Sequence, residues 1–236
     1  MQAARRLSSG PLGVRRTSLI TSSDREYKAT KRIKQGKTRL APPFDELATW
    51  IGSTWQVTVL NVIYDRANDL HAPRLQVIVE HHEDAQKFRD GYNFDKKKQD
   101  AIASQFLAII NREEAHGYDV DGLFVVFSAF APIAKQETDS QLSEEQINAL
   151  KNRIANPDLW VISRCFGHVT FMFYTDEQAK THEAKGQKEI YARMYFEILK
   201  AYDEFGYLVE KDFAVNFDSK QNFDDNYESN WYYYYK

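Results

Sequence analysis

The amino-acid sequence predicts an α+β protein built from two tandem helix–strand–strand–helix–strand units, with mainly antiparallel sheets covered by helices. Two observations predict this fold class. Each half of the chain opens with apolar residues at helical spacing and continues into two short runs rich in β-branched and aromatic residues. Farther along, the long helices predicted for the two halves align with each other without a gap. The sequence therefore contains one unit twice.

The first helix of each unit is predicted from three apolar residues at positions i, i+3 and i+7, which lie on one face of a helix. These residues are Phe44, Leu47 and Ile51 in the first half, and Ile147, Leu150 and Ile154 in the second. In the second half, Ser143 followed by Gln146 matches a capping box, which satisfies backbone N–H groups that have no partner in the helix. We therefore expect that helix to begin next to Ser143.

A pair of strands is predicted after each first helix. Val57 to Tyr64 and Leu75 to Val79 form the pair in the first half, and Leu159 to Phe166 and Val169 to Phe173 form it in the second. The connection is long in the first half and tight, at Gly167 and His168, in the second. Each unit should therefore contain a hairpin.

The long helices that follow provide the clearest sign of a repeat. Ala103, Phe106, Leu107, Ile109 and Ile110 align with Ala192, Tyr195, Phe196, Ile198 and Leu199. The same alignment pairs Gly117 with Gly206. A glycine adopts positive φ easily, so we expect each long helix to end at its glycine. A last strand is predicted over Leu123 to Phe130 in one unit and over Phe213 to Phe217 in the other. The polar segment from Ala131 to Gln141 then connects the units.

The distribution of charge separates a basic N-terminal segment from an acidic remainder. Residues 1–39 hold 11 Lys and Arg against two acidic residues, whereas the rest holds 20 basic and 32 acidic residues. The sequence thus predicts a basic, disordered leader over residues 1–41, a first unit over 42–131 and a second over 142–236. A mitochondrial targeting segment and a gene start placed too far upstream are alternative interpretations of the leader.

Several classes of site lack sequence support. Cys165 is the only cysteine, so no internal disulfide and no thiolate zinc cluster is possible. His81 to Asp84 contains imidazole and carboxylate groups that can bind a transition metal, but its counterpart, Thr175 to Gln178, is typical of a helix N-terminus. Cys165 and His168 are interpreted as structural residues. We therefore expect no metal, no cofactor and no catalytic residue.

The C-terminal segment contains the candidate binding residues. Acidic and aromatic side chains alternate there, and four successive tyrosines cannot all be buried on one face of a closing strand. Such side chains are typical of surfaces that bind basic proteins. The residues predicted to bind a partner are Asp218, Asp224, Asp225, Glu228, Trp231, Tyr232 and Tyr234.

This C-terminal pattern resembles one known family. A helix–strand–strand–helix–strand unit that continues through Phe217-Asp218 into Trp231-Tyr232 is similar to the YezG-like immunity proteins of bacterial polymorphic-toxin systems. The likeness covers Leu142 to Lys236 best and Phe44 to Phe130 more faintly. The resemblance implies a cytoplasmic protein that binds and silences a cognate toxin without catalysis.

The functional hypothesis is therefore a non-catalytic protein-binding module, an immunity protein that neutralises a basic toxin domain by occlusion. No apolar run is long enough to span a membrane, so we expect a cytoplasmic protein without a membrane partner. Two alternatives remain open. One is a metal-dependent enzyme using His81 to Asp84, and the other is a nucleic-acid-associated protein acting through the basic leader, although the acidic body disfavours nucleic acid.

Overall fold

The computed structural model describes residues 20–67, 72–165 and 167–236, which form an α+β fold and confirm the predicted fold class. The chain divides into two compact units between Phe130 and Ala131. A three-stranded sheet with helices packed on it lies in each unit.

The first unit contains a mixed sheet. Its elements are α1 (Arg25–Lys34), α2 (Phe44–Trp55), β1 (Val59–Arg66), β2 (Pro73–Val79), α3 (His82–Gln86), β3 (Arg89–Asp90), β4 (Asn93–Phe94), α4 (Lys96–Arg112) and β5 (Phe124–Ala129). The strand order is β1-β2-β5, in which β1 and β2 are antiparallel while β2 and β5 are parallel. The parallel pair arises because the long connection through α4 returns the chain to the same end of the sheet.

The second unit repeats this topology. The elements after β5 are α5 (Phe130–Ser140), α6 (Glu144–Ile154), β6 (Leu159–Cys165), β7 (His168–Phe173), α7 (Asp176–Ala184), α8 (Gln187–Lys200), a short 3-10 helix (Glu210–Asp212), β8 (Asn216–Ser219), α9 (Lys220–Tyr227) and α10 (Trp231–Tyr234). The order β6-β7-β8 again combines one antiparallel and one parallel pair. Each three-stranded sheet is thus evenly mixed, where the sequence predicted mainly antiparallel pairing.

The repeat extends to the pairing of individual strand residues. Val59 pairs with Val79 and Asn61 with Ile78, so the ladder skips one residue, Leu60. The second unit skips Trp160 at the same point of its first strand. A bulge of this kind shifts the alternation of side chains between the two faces by one residue. The irregularity thus belongs to the repeated unit.

One face of the first sheet carries the main core of its unit. Leu75, Val77 and Val79 alternate along β2 and are fully buried against α2 and α4. Phe106, on α4, is also fully buried there. At the start of α4, Asp95 accepts hydrogen bonds from the backbone N–H groups of two lysines and so caps the helix.

The other face of this sheet is covered by α1. The Tyr27 ring is fully buried and stacks on Phe130 at 5.0 Å, and the amide of Asn61 on β1 donates to the hydroxyl of Thr30 at 3.0 Å. The prediction of a disordered leader over 1–41 is therefore wrong for α1, because one aromatic anchor and one buried polar pair hold a largely basic helix on the sheet. Residues 1–19 lie outside the described part of the chain.

The segment predicted as a polar connection, 131–141, is also helical. It lies in α5, in which Ile133 and Ala134 are buried. Pro132 occupies the first turn, where a proline breaks no helical hydrogen bond. A proline at this position is therefore compatible with a helix.

The second unit has a similar core with more polar anchoring. Phe171 and Phe173 alternate along β7 and are fully buried, as is Tyr195 on α8, whose hydroxyl donates to Asp139 at 2.7 Å. The predicted capping box at Ser143 is confirmed, and a second box begins at Thr175.

Two predicted boundaries differ from the structure. Gly117 and Gly206 have positive φ, but α4 and α8 end several residues before them, so these glycines form turns rather than helix ends. In the second unit the last strand, predicted over Phe213 to Phe217, is β8, which begins later and continues to Ser219.

Candidate functional site

The C-terminal segment folds as two short helices, α9 and α10. Ser219, the last residue of β8, caps α9 by accepting from the N–H of Asn222 at 2.8 Å. Glu228 ends α9 in a left-handed conformation, and the side chain of Asn230 then accepts from the N–H of Tyr232 at 2.9 Å to begin α10. The tyrosine run is therefore helical and not part of a closing strand, because two polar caps start helices at these positions.

The inner side of α10 is held by an aromatic stack. The ring of Trp231 lies 4.2 Å from that of Phe223 and is nearly parallel to that of Trp160 at 6.1 Å. Tyr235 stacks on Trp231 at 5.9 Å, and its hydroxyl is 2.7 Å from that of Ser163 on β6. Ring stacking and one polar contact thus fix α10 on the sheet face opposite the main core.

A partly buried hydrogen bond also holds the same helix. The hydroxyl of Tyr234 donates to the carboxylate of Asp218 at 2.6 Å, and Asn222 donates to that carboxylate as well. Burial raises the pKa of Tyr234, and its hydrogen bond to Asp218 and the negative charge there raise it further. Tyr234 therefore stays protonated as a donor across the physiological range.

The outer side of α9 and α10 presents rings and carboxylates to solvent. Tyr232 is 67% exposed and Tyr233 is 46% exposed. Asp225 and Glu228 are exposed, and within the described ranges neither carboxylate has an ion-pair or hydrogen-bond partner. We call these four residues the acidic–aromatic surface.

The structure separates the seven residues predicted to bind a partner. Asp225, Glu228 and Tyr232 lie on the acidic–aromatic surface, and Trp231, 37% exposed, lies at its border with the stack. The remaining three, Asp218, Asp224 and Tyr234, are engaged within the fold. Asp224 forms an ion pair with Lys220 and accepts from Ser229, and these hydrogen bonds lower its pKa.

Tyr233 was missed by the sequence analysis. Strand alternation groups it with Trp231 and Tyr235, whereas a helix directs residue 233 away from residues 231 and 235. The signal was present, since Asn230 directly before an aromatic run is a helix N-cap.

The other sequence candidates lie elsewhere. His81 occupies the N-cap position of α3 and His82 is the first residue of that helix, which agrees with the helix-start interpretation of that cluster. Among the described residues, no group of three His, Cys, Asp or Glu side chains is arranged to hold a metal ion. Cys165 and His168 pair across β6 and β7, and burial raises the pKa of the Cys165 thiol.

A cleft of about 730 Å³ in the second unit offers no comparable site. Its charged walls neutralise each other, because Lys188 pairs with Glu183 at 2.9 Å and Arg193 with Glu210 at 3.2 Å.

Over the described ranges, no helix is both long and apolar enough to cross a membrane. Comparisons with family models, with curated proteins and with solved structures found no match for this chain.

Proposed function

We propose that this protein is a non-catalytic protein-binding module that recognises a basic protein through its acidic–aromatic surface. The observation that carries the proposal is the exposure of Tyr232 and Tyr233 on a helix that is fixed from beneath by stacked rings. Tyrosines held in this way contribute contact area at little entropic cost, which is the property of binding hot spots.

Charge supports a basic partner. Residues 131–236 contain 12 Lys and Arg and 18 Asp and Glu. Two of these carboxylates, Asp225 and Glu228, are exposed and have no ion-pair partner among the described residues. Unpaired carboxylates attract a cationic partner during encounter, whereas an adjacent ring stabilises the docked complex.

The narrower form of the proposal is an immunity protein that occludes a cationic toxin. It rests on the resemblance of the C-terminal pattern to YezG-like immunity proteins and on the acidic second unit. Its natural first candidate partner is the product of the gene directly beside this one, since toxin and immunity genes are neighbours.

The test measures binding of that neighbouring gene product by surface plasmon resonance. Asp225→Asn with Glu228→Gln should slow association and flatten its salt dependence, because rim charges act on encounter. Tyr232→Ala should accelerate dissociation about tenfold or more if the ring is a hot spot. Tyr92→Ala is the matched control, because Tyr92 is 89% exposed in the first unit.

Each variant is also melted in denaturant to show that it is folded. If the folded Tyr232 and carboxylate variants associate and dissociate at unchanged rates, the acidic–aromatic surface is not the interface. Equal weakening by Tyr92→Ala would show a loss unrelated to this surface.

A further inference from the structure

The outer edge of β6 faces an open cleft. β6 is the first strand in the order β6-β7-β8, and among the strands that the structure describes it pairs with β7 alone. A cleft of about 370 Å³ is lined by the consecutive residues Val161 to Cys165 and by no residue of β7. Consecutive residues point to both faces of a strand, so a cavity that touches all of them and avoids the neighbouring strand lies beside the free edge.

Backbone hydrogen-bonding groups on this edge have no partner within the described part of the chain. Two residues separate the paired Cys165 and His168, and the closing pair of such a hairpin is hydrogen-bonded. Because pairs alternate, the N–H and C=O groups of Ile162 and Arg164 point outward. No hydrogen bond joins these groups to another described residue.

The two walls of the cleft differ in chemistry. Asp139 and Glu144 stand on one side and Trp231 on the other. Arg164 neutralises the acidic wall only in part, because its single positive charge faces two carboxylates: it pairs with Glu144 at 2.6 Å and also lies beside Asp139, to whose main-chain carbonyl it donates at 3.3 Å. The 76% exposed Glu144 side chain remains accessible to a ligand.

Two usual protections of an edge strand are absent from this part of β6, because there is no lysine or proline between Val161 and Cys165. The one charged side chain of this stretch, Arg164, is drawn away to Glu144 and to the carbonyl groups of Asp139 and Leu142. The bulge at Trp160 lies before this stretch, and there the ammonium group of Lys151 donates to the carbonyl of Trp160 and closes the edge. The open edge therefore begins immediately after the closed one.

A cleft occurs beside the same strand positions of the first unit. It has about 580 Å³ and is lined by Asn61 to Tyr64, again without a residue of β2. Its walls include Arg25, Arg32 and Arg39 with a single acidic residue, Glu26. An open edge is thus a feature of the repeat, and only the cleft of the second unit is acidic.

We infer that the β6 edge accepts an extended, basic segment of the protein partner as an additional strand, with the segment lying between the acidic wall and Trp231. Main-chain hydrogen bonds to Ile162 and Arg164 hold the segment, and its lysines face Asp139 and Glu144. The inference rests on the proposed function, since it specifies how a basic partner is bound.

The test uses a blocked peptide of four Lys-Val repeats as the probe and the full-length protein as the receptor. By NMR, the peptide should shift the amide signals of Ile162 and Arg164. Their hydrogen exchange should slow about tenfold at a peptide concentration nine times Kd, because exchange then proceeds through the free protein. N-methylation along one edge of the peptide should abolish binding, while methylation along the other edge should not.

A charge-reversal pair checks the acidic wall. Glu144→Lys should weaken peptide binding about two- to fivefold at low salt. Glu145→Lys is the matched control, because it makes the same charge change in the same exposed first turn of α6 but does not line the cleft. A peptide of four Glu-Val repeats should leave the Ile162 amide unshifted.

Tyr232→Ala distinguishes this inference from the proposed function. If the Lys-Val peptide shifts Asp225, Glu228 and Tyr232 but not Ile162, and Tyr232→Ala weakens it, the acidic–aromatic surface stands and the strand site is overturned. If peptide binding survives methylation on both edges, the strand mode is also overturned. A peptide that shifts neither region overturns the strand site, while the acidic–aromatic surface is decided by the binding of the neighbouring gene product.

Discussion

In each unit, one carboxylate accepts several hydrogen bonds beside the sheet. The carboxylate of Asp65 accepts two hydrogen bonds from the guanidinium of Arg74, at 2.8 and 2.7 Å, and one from Gln76 at 2.6 Å. Burial opposes ionisation of Asp65, but the hydrogen bonds and charge of Arg74 outweigh it, so the pKa of Asp65 lies below its ordinary value. In the second unit, Tyr234 and Asp218 form a comparable contact under α10.

From the Asp65 contact we predict how the free energy of unfolding changes in acid. Asp65→Asn should lower the free energy of unfolding by about 1.5–3 kcal/mol at pH 7, the usual range for hydrogen bonds to a charged group. A carboxyl group with a depressed folded pKa stabilises above its unfolded pKa, and this contribution is lost as pH falls through the folded value. The cost of the substitution should therefore shrink at pH 3.

Urea denaturation at pH 7 and pH 3 provides the measurement. Asp100→Asn serves as the control, because its side chain is 61% exposed and its ion pair is at the surface. An equal cost of Asp65→Asn at both pH values would show that ionisation of Asp65 does not stabilise the fold.

At the scale of elements, α1 and α10 exist because the sheets provide a surface for them. Both are short and lack a full apolar stripe, and each is held by an aromatic anchor and a polar contact to a strand. Isolated helices of such length are marginal in water. Docking on the sheet therefore determines their structure.

The docking of α1 can be tested at its anchor. Tyr27→Ala should destabilise the protein by about 3–5 kcal/mol, the range for removal of a large buried ring. Lys28→Ala, one residue later on the exposed side of α1, should change stability by less than about 0.5 kcal/mol. Denaturant melts of the two variants decide the point. If Tyr27→Ala costs no more than Lys28→Ala, α1 does not belong to the folded core.

At the scale of the whole molecule, the duplicated unit combines constant topology with different surfaces. Both sheets share strand order, register and bulge, whereas the cleft beside the edge is basic in one unit and acidic in the other. The second unit also carries three tyrosines, Tyr195, Tyr234 and Tyr235, whose pKa values are raised by burial and by a neighbouring carboxylate.

These tyrosines predict a loss of stability in alkali. A tyrosine with a raised folded pKa stabilises below its unfolded pKa of about 10, and the contribution is lost at higher pH as the unfolded chain releases its proton. Stability should thus fall by roughly 1 kcal/mol per tyrosine between pH 10 and 11. Urea midpoints and tyrosinate absorbance measure this, and Tyr195→Phe should flatten the decline whereas Tyr232→Phe should not.

The sequence alone determined the fold class, the paired units and the first helices and hairpins, because apolar spacing reports directly which face of an element is buried. Phe106 and Tyr195, aligned from sequence alone, are both fully buried. The acidic and aromatic composition near the C-terminus likewise identified the residues from which a surface is built.

Only the tertiary structure decided which of those residues face solvent. Asp218 and Tyr234 bond to each other beneath α10, while Tyr233 turns outward, because short helices capped by Ser219 and Asn230 replace the expected strand. The open edge of β6 was equally hidden in the sequence. Whether a strand has one neighbour or two depends on residues far away in the chain, and no local periodicity encodes that number.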